Sequence, residues 1–214
     1  MRNIQLVKGE YYHIYNRGVD HRPIVLDEND ADRFFDSLRL FNTATLTGSI
    51  FEFSLTEQAD TLKFSNPLVD IISYCLNPNH FHICLKQNRE NGISELMKRL
   101  AGGYSYYFNK KHKRTGSLFE GRYKAKHIND NDYLVHVASY VALNDKVHGL
   151  GDRVTKLVRS SWEENTSYKT GICSAKIIDD QFSKSEFKKF ALEALELMKS
   201  KRADYTELKG LVFD

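Results

Sequence analysis

The chain has 214 residues, of which 41% are hydrophobic and 28% are charged, and its formal net charge is +3. This size and composition suit one domain with an appendage, and no run approaches the ~18 consecutive apolar residues of a membrane-spanning helix. The three cysteines are odd in number and irregularly spaced, which argues against a disulfide framework and predicts a reducing, cytoplasmic location.

The first part of the chain predicts a strand and then a helix that packs on a sheet. Residues 10–16 are rich in tyrosine and isoleucine, which favour a strand, and Gly18 marks the turn that follows. Acidic residues at 27–30 suit the start of a helix, whose apolar residues over 34–41 are spaced to cover one sheet face. Apolar and polar residues alternate over only part of 43–66, and we predict an irregular excursion there with one edge hairpin.

The middle of the chain predicts a hairpin followed by a long helix. Residues 69–76 and 80–86 are β-branched and aromatic runs joined by the tight turn 77–79, which predicts an antiparallel pair. A helix is predicted over 92–112. Gly102 and Gly103 interrupt it at about 1 kcal/mol each relative to alanine, which indicates a kink or a close backbone approach.

The remainder predicts two further elements of the domain and then a tail. Short strands or a hairpin are expected within 115–128, and a helix over 132–144 presents one apolar stripe to the sheet. Beyond residue 150 the chain changes character, and an amphipathic helix is predicted over 183–201. We therefore divide the chain into a domain over 1–150 and a C-terminal helical extension over 151–214.

Two histidines in the predicted hairpin are the first candidates for chemistry. His80 and His82 are two apart on a strand, so they share a face with backbones roughly 7 Å apart at ~3.3 Å per residue. Two imidazoles at that separation can converge on one metal ion. The same pattern also occurs as two ordinary histidines on a sheet, so the pair needs partners from elsewhere in the chain.

A zinc site is the alternative for this strand, because Cys84 continues the alternation of His80 and His82. Three ligands spaced two apart span ~13 Å of strand, whereas zinc–ligand bonds are only ~2.0–2.3 Å. One ion cannot easily hold all three side chains, and Cys84 is predicted to pack in the core. A zinc hydrolase or structural zinc protein that uses both histidines and a cysteine stays open as a rival.

Positive charge is concentrated in the segment 86–127, which has eleven lysine and arginine residues against three glutamates. Such a patch attracts phosphate polymers, and aromatic residues interleaved with the charges are typical of single-stranded nucleic-acid binding. An ordinary solvated basic face is the alternative. Arg17, Arg114, Arg122, Lys124 and Lys126 are the candidates for DNA phosphate contacts.

The helix predicted over 132–144 carries two polar candidates beside its apolar stripe. Tyr140 and Asn144 are four residues apart and therefore share a face. A tyrosine can act as a covalent nucleophile, and a nearby cation favours the phenolate that its pKa of about 10 otherwise disfavours. A structural tyrosine and a helix-capping asparagine are the ordinary alternatives.

Five blocks occur in a fixed order and together carry a family resemblance. They are YHIYNRG at 12–18, YCLNPNHFH at 74–82, YFNKK at 107–111, GSLFEGRYKA at 116–125 and YVALN at 140–144. Over residues 10–150 the chain resembles the single-tyrosine HUH transposases of bacteria, particularly the REP-associated tyrosine transposases. One departure is Asp145, since Asn144 is usually followed by proline in these proteins.

The resemblance implies an α+β fold, with a ferredoxin-like antiparallel sheet flanked by helices. It implies that His80 and His82 are metal ligands, that Asn144 completes the metal site and that Tyr140 is the nucleophile. The metal is expected to be Mg²⁺ or Mn²⁺, because a site with an oxygen ligand favours them over structural zinc.

The implied activity is that of a metal-dependent transposase or strand transferase, which cleaves single-stranded, hairpin-flanked DNA through a 5′-phosphotyrosine and leaves a free 3′-OH. The expected partner is single-stranded or hairpin DNA, with no membrane, in a nucleoid-associated cytoplasmic protein that acts as a monomer or a homodimer. The rival to this enzyme is a non-catalytic relative that binds hairpin nucleic acid on the same fold.

Overall fold

The structure is a computed structural model, and it describes residues 4–44, 66–150, 152–174 and 176–212. The elements of the first unit, in order, are β1 (Tyr11–Arg17), a 3₁₀ turn (Val19–His21), α1 (Glu28–Leu40), β2 (Val69–Leu76), β3 (His80–Gln87), α2 (Gly92–Lys111), β4 (Lys124–Ile128), α3 (Asn131–Ala142) and the short α4 (Asn144–Val147). The tail adds α5 (Asp152–Thr155), β5 (Arg159–Ser160), α6 (Trp162–Thr166), α7 (Lys176–Asp179) and α8 (Lys184–Val212).

The strands form one sheet in the order β4-β1-β3-β2-β5, and every neighbouring pair is antiparallel. The first four strands, with α1 between β1 and β2 and α2 between β3 and β4, have the ferredoxin-like arrangement. This confirms the predicted α+β fold. The register places Tyr15 opposite His82 and Arg17 opposite His80, so residues from β1 share a face with the histidine pair.

One face of the sheet is covered by α1 and α2 and is closely packed. Tyr12 and Ile14 of β1 and Phe81 and Ile83 of β3 point into this core and are each at most 1% exposed. Helix α2 contributes the predicted apolar stripe Ile93, Leu96, Met97 and Leu100, which is buried along its length.

The other face is covered by α3, with α8 packed beyond it. The predicted stripe of α3 and the buried residues of α8 meet side chains from three strands, among them Cys84. Cys84 is fully buried in this apolar cluster, and its burial raises the pKa of the thiol. A neutral thiol enclosed by hydrocarbon is a poor zinc ligand, so the structure places Cys84 in the core as predicted.

Two predicted elements differ from the structure. The helix predicted over 132–144 ends at Ala142, because Leu143 leaves helical geometry at φ −108° and ψ 14° and α4 begins at Asn144. Of the short strands or hairpin predicted within 115–128, β4 is present, whereas residues 115–119 form a loop that has a bridge between Gly18 and Phe119. Most of the predicted 43–66 excursion, including its hairpin, lies outside the described residues.

The tail also contributes to the sheet and its packing. Strand β5 pairs with the edge strand β2, and Phe187, Ala191 and Leu195 of α8 are buried against the α3 side. The division at residue 150 stays a prediction. No helix within the described residues is long and apolar enough to cross a membrane.

Candidate active site

A cavity of about 470 Å³ opens where β1 ends and β3 begins, on the α3 side of the sheet. Its lining comes from β1 and the turn after it, the turn before β3, β3 itself, β4 and the segment before it, α3, and the residue that follows α4. The lining residues are Tyr15, Asn16, Arg17, His21, Asn79, His80, His82, Glu120, Lys124, Tyr140 and His148. The cavity therefore contains both predicted histidines and the predicted nucleophile.

The histidine pair projects from β3 as the alternation of the strand requires. The ring centroids of His80 and His82 are 5.3 Å apart and the rings are nearly perpendicular, at 85°. Both rings are only partly buried, whereas Phe81 between them is buried on the opposite face. The strand thus exposes two imidazoles to the cavity from a rigid, packed base.

Tyr140 reaches the same place from α3. Its ring centroid lies 5.6 Å from that of His82 and 6.0 Å from that of His13, with an edge-on geometry to each. The side chain is half-buried and lines the cavity, while Val141 beside it is buried in the core. The helix therefore directs its stripe into the sheet and Tyr140 toward the histidines.

Asn144 is held beside His80 by a buried hydrogen-bond network. Its side-chain Oδ1 lies 3.0 Å from His80 Nε2, and Asn77 donates its amide to both atoms, at 2.7 Å to Asn144 and 2.9 Å to His80. His80 donates its other nitrogen, Nδ1, to Asn79 Oδ1 at 2.7 Å. This bond leaves the lone pair of the neutral ring on Nε2, the atom that faces Asn144.

The donor set fits a small divalent cation. Two ligands at about 2.1 Å and at right angles in an octahedral site are about 3.0 Å apart, which matches the separation of His80 Nε2 and Asn144 Oδ1. Asn144 is fully buried, and its Nδ2 has no hydrogen-bond partner among the described residues, so the amide is held through its oxygen. An amide oxygen with imidazole nitrogens suits Mg²⁺ or Mn²⁺ better than a structural zinc site.

His82 is held through its second nitrogen by His13 of β1. The distance from His13 Nε2 to His82 Nδ1 is 2.8 Å, and the two rings are stacked with centroids 5.0 Å apart. Burial lowers the pKa of His13 to about 4, with Lys126 adding to the effect. Burial and then the neighbouring His13, His80 and His148 lower the pKa of His82 to about 2. Both rings are therefore neutral at pH 7, the form that binds metal.

The five cations predicted to contact DNA fall into two groups. Arg17 and Lys124 line the cavity, and Lys126 lies on the same sheet face opposite His13. The remaining two, Arg114 and Arg122, lie outside the cavity. Arg114 donates to the Asn109 side chain on α2 and to the Ser117 carbonyl, and Arg122 lines a separate groove beside α2.

Sequence reasoning missed four residues of the site: His13, Tyr15, Asn77 and His148. The ring of His148 packs 4.7 Å from that of His80, and the ring of Tyr15 stacks on His82 at 5.6 Å. His13 and Tyr15 belong to a sequence block given above and alternate on β1, so the sequence shows that they share a face. The sequence does not show that β1 pairs with β3, because that pairing joins residues far apart in the chain.

A second cluster of possible ligands, Asp27, Asp30 and His112, has a structural role. The ammonium of Lys111 binds both carboxylates, at 2.6 Å and 2.8 Å, and His112 bonds to Asp30 at 2.8 Å. Asp27 also caps α1 by accepting from the Asp30 amide. These contacts occupy the oxygens and tie the start of α1 to the end of α2.

Comparison with known proteins agrees with the blocks found in the sequence. Residues 60–144 match the family model described as "Transposase IS200 like", a range that includes His80, His82, Tyr140 and Asn144. The match covers less than half of the chain; over this range the sequence is similar to IS200-like transposases, in agreement with the resemblance carried by the sequence blocks.

Among solved structures, the chain is similar to a REP-associated tyrosine transposase bound to a REP hairpin. The two share 12% sequence identity and a TM-score of 0.47, over 77% of this chain and 84% of the other. A search of curated proteins found no match.

Proposed function

We propose that this chain is a transposase that cleaves single-stranded, hairpin-flanked DNA through a covalent bond to Tyr140. The observation that carries the proposal is the contact between the Tyr140 ring and His82 inside one cavity that also holds His80. The family match over residues 60–144 supports the same activity. All of these side chains come from one chain, so a single protomer supplies the site as described.

The proposed reaction is an exchange of one phosphodiester bond for another. The Tyr140 oxygen attacks the phosphorus and loses its proton to solvent, while the bond from phosphorus to the 3′ oxygen breaks. The 3′ oxygen takes up a proton and leaves as a free 3′-OH, and the 5′-phosphate stays on Tyr140. Attack by another 3′-OH reverses these steps and joins the strand elsewhere, without consuming water.

His80, His82 and Asn144 are the residues that would hold a divalent cation. When bound, Mg²⁺ or Mn²⁺ supplies a Lewis acid for a phosphodiester oxygen and a charge that favours the phenolate of Tyr140. His13 and Asn79 position the two imidazoles through their second nitrogens, and Asn77 holds the Asn144 oxygen. The bond from Asn77 to His80 Nε2 uses the lone pair that a cation would take, so a bound cation would replace that bond.

Two cations at the mouth of the cavity are placed to bind the DNA backbone. Lys124 stands over the Tyr15 ring at 5.9 Å, and Arg17 is paired with Glu120 at 2.5 Å. The pair with Glu120 holds the guanidinium at the cavity rim, and the half-exposed Arg17 side chain keeps donors for a phosphate. We propose that these two residues orient the strand beside Tyr140.

The test is the substitution Tyr140→Phe, which removes the attacking oxygen and keeps the ring. Wild-type protein incubated with labelled hairpin DNA and Mn²⁺ is expected to form an adduct that survives a denaturing gel. The variant is expected to form none and to bind the DNA with wild-type affinity.

The matched control is Tyr133→Phe on the same helix, because Tyr133 contacts Lys126 and does not line the cavity. This control is expected to form the adduct normally. Adduct at the wild-type level from Tyr140→Phe would overturn the assignment. Tight hairpin binding by the wild type without any adduct would instead support the non-catalytic alternative.

A further inference from the structure

A second and larger concavity, which we call the α2 groove, lies on the other side of the segment that leads into β4. Its volume is about 790 Å³. One wall is a single face of α2, and the other is the segment 116–123. The lining residues are Ser94, Met97, Lys98, Ala101, Gly102, Ser105, Gly116, Ser117, Leu118, Phe119, Gly121, Arg122 and Tyr123.

The groove and the catalytic cavity share a wall. Glu120 and Lys124 line the cavity, whereas Gly121, Arg122 and Tyr123, which lie between them in sequence, line the groove. The wall is attached to β1 by backbone and side-chain bonds: the Glu120 amide donates to Arg17 O at 3.0 Å, and Asn16 Nδ2 donates to Gly121 O at 3.0 Å. A DNA strand bound in the cavity would therefore reach the groove by crossing this short segment.

The chemistry of the groove suits nucleotides. Its floor is largely apolar, and serine hydroxyls lie along it. Lys98 and Arg122 are exposed at its edges, and neither forms an ion pair with another described residue. Tyr106 lies one helical turn beyond Gly102 with 70% of its surface exposed, and Lys110 stands over its ring at 6.0 Å. Cations beside exposed rings are the arrangement that holds single-stranded bases and their phosphates.

The glycine pair of α2 is explained in two different ways. A Cβ at Gly103 would lie 3.2 Å from the ring of Phe41, which follows α1, so a side chain there would crowd this contact. A Cβ at Gly102 would have nothing within 4 Å, because it would point into the groove. Packing within the fold therefore does not account for Gly102, which costs the helix about 1 kcal/mol relative to alanine. A large side chain at this position would enter the groove.

We propose that the α2 groove binds bases of the same DNA strand that is cleaved in the cavity, a few nucleotides from the cut. The proposal rests on the proposed DNA-cleaving function and adds a second binding site to it. Bases would lie on the floor of the groove and stack on Tyr106, and Lys98 and Arg122 would contact the flanking phosphates.

The test fills the groove and measures DNA binding in the full-length Tyr140→Phe protein, which cannot cleave. The probe is a fluorescein-labelled thymidine 20-mer, followed by fluorescence anisotropy. Gly102→Phe is expected to weaken binding about tenfold, since it displaces a base from a stacking site. Gly102→Ala is the matched control and is expected to bind within twofold of the parent, because a methyl group leaves the groove open.

A second pair of variants tests the charges and does not depend on helix packing. The double change Lys98→Gln and Arg122→Gln is expected to reduce the slope of log affinity against log salt by about 1.4, or roughly 0.7 per phosphate contact. Lys188→Gln with Lys189→Gln removes two exposed charges from α8 and is expected to leave the slope unchanged. Photocrosslinking with 5-iododeoxyuridine is expected to label peptides from 94–107 or 116–123.

The outcomes separate the groove from the function of the cavity. If Gly102→Phe and Gly102→Ala bind the 20-mer with equal affinity and the crosslinks are confined to cavity residues, the groove does not bind DNA. An adduct on Tyr140 would still support cleavage in the cavity. Groove-dependent binding with no adduct from the wild-type protein would overturn the cleavage chemistry and support the groove.

Discussion

Strands β1 and β3 have two very different faces, although successive residues of each strand point alternately to one face and to the other. On the α1 and α2 face, Ile14 and Phe81 are almost fully buried in a continuous apolar core. On the other face, His13 and His82 are bonded to each other, and His82 borders a cavity. The apolar packing of α3 reaches only as far as Cys84 on this side, and the polar site begins two residues earlier along β3.

The comparison shows how a sheet can hold a polar site rigidly. Alternation lets each strand pack one set of side chains and present the other, so the core on one face positions the histidines on the opposite face. Substitutions on the apolar face should therefore reduce stability, whereas substitutions on the histidine face should reduce activity. Substitutions on each face test that separation.

Removing either histidine of the pair should abolish chemistry with little effect on folding. His80→Ala and His82→Ala are each expected to reduce metal-supported adduct formation on the order of a thousandfold, because several kcal/mol of metal assistance is lost. Calorimetric titration with Mn²⁺ should show the loss of binding directly. His136→Ala is the control, since His136 lies on α3 against Phe190 and does not line the cavity. Unchanged Mn²⁺ binding in both pair variants would exclude this metal site.

Shortening the residue between the two histidines should have the opposite effect. Phe81→Ala is expected to lower the free energy of unfolding by about 3–5 kcal/mol, because it leaves a cavity where the ring packs against Phe34 and Phe119. Chemical denaturation measures this change, and the folded fraction should still bind Mn²⁺. A loss below about 1 kcal/mol would show that the two faces are not divided as the structure indicates.

The smallest expected effect concerns the contact that joins the site to β1. His13→Ala removes the partner of His82 Nδ1 and is expected to weaken Mn²⁺ binding about 10–100-fold. His13→Gln is expected to recover much of the affinity, because its side-chain oxygen can accept from the same nitrogen. NMR of the His82 ring nitrogens should show the shift in tautomer in His13→Ala. Equal Mn²⁺ affinities for the two variants would argue that His13 only fills space.

The local patterns predicted much of the fold and the central part of the site. Strand alternation placed His80 and His82 on one face, and the helical period separated Tyr140 from the buried stripe of α3. These properties depend on neighbouring residues, so a sequence displays them directly. The two glycines of α2 were also visible, but their surroundings were not, and only the structure distinguishes the packed Gly103 from the open Gly102.

Tertiary structure decided what lies around that central part. The strand order brings His13 of β1 beside His82, 69 residues further along the chain, and the break at Leu143 turns Asn144 toward Asn77 and His80. The alternation of a strand and the period of a helix are properties of the local backbone, so the order of residues alone reveals which side chains each element exposes. Which exposed side chains meet depends on strand pairing and helix docking, because these bring distant segments into contact.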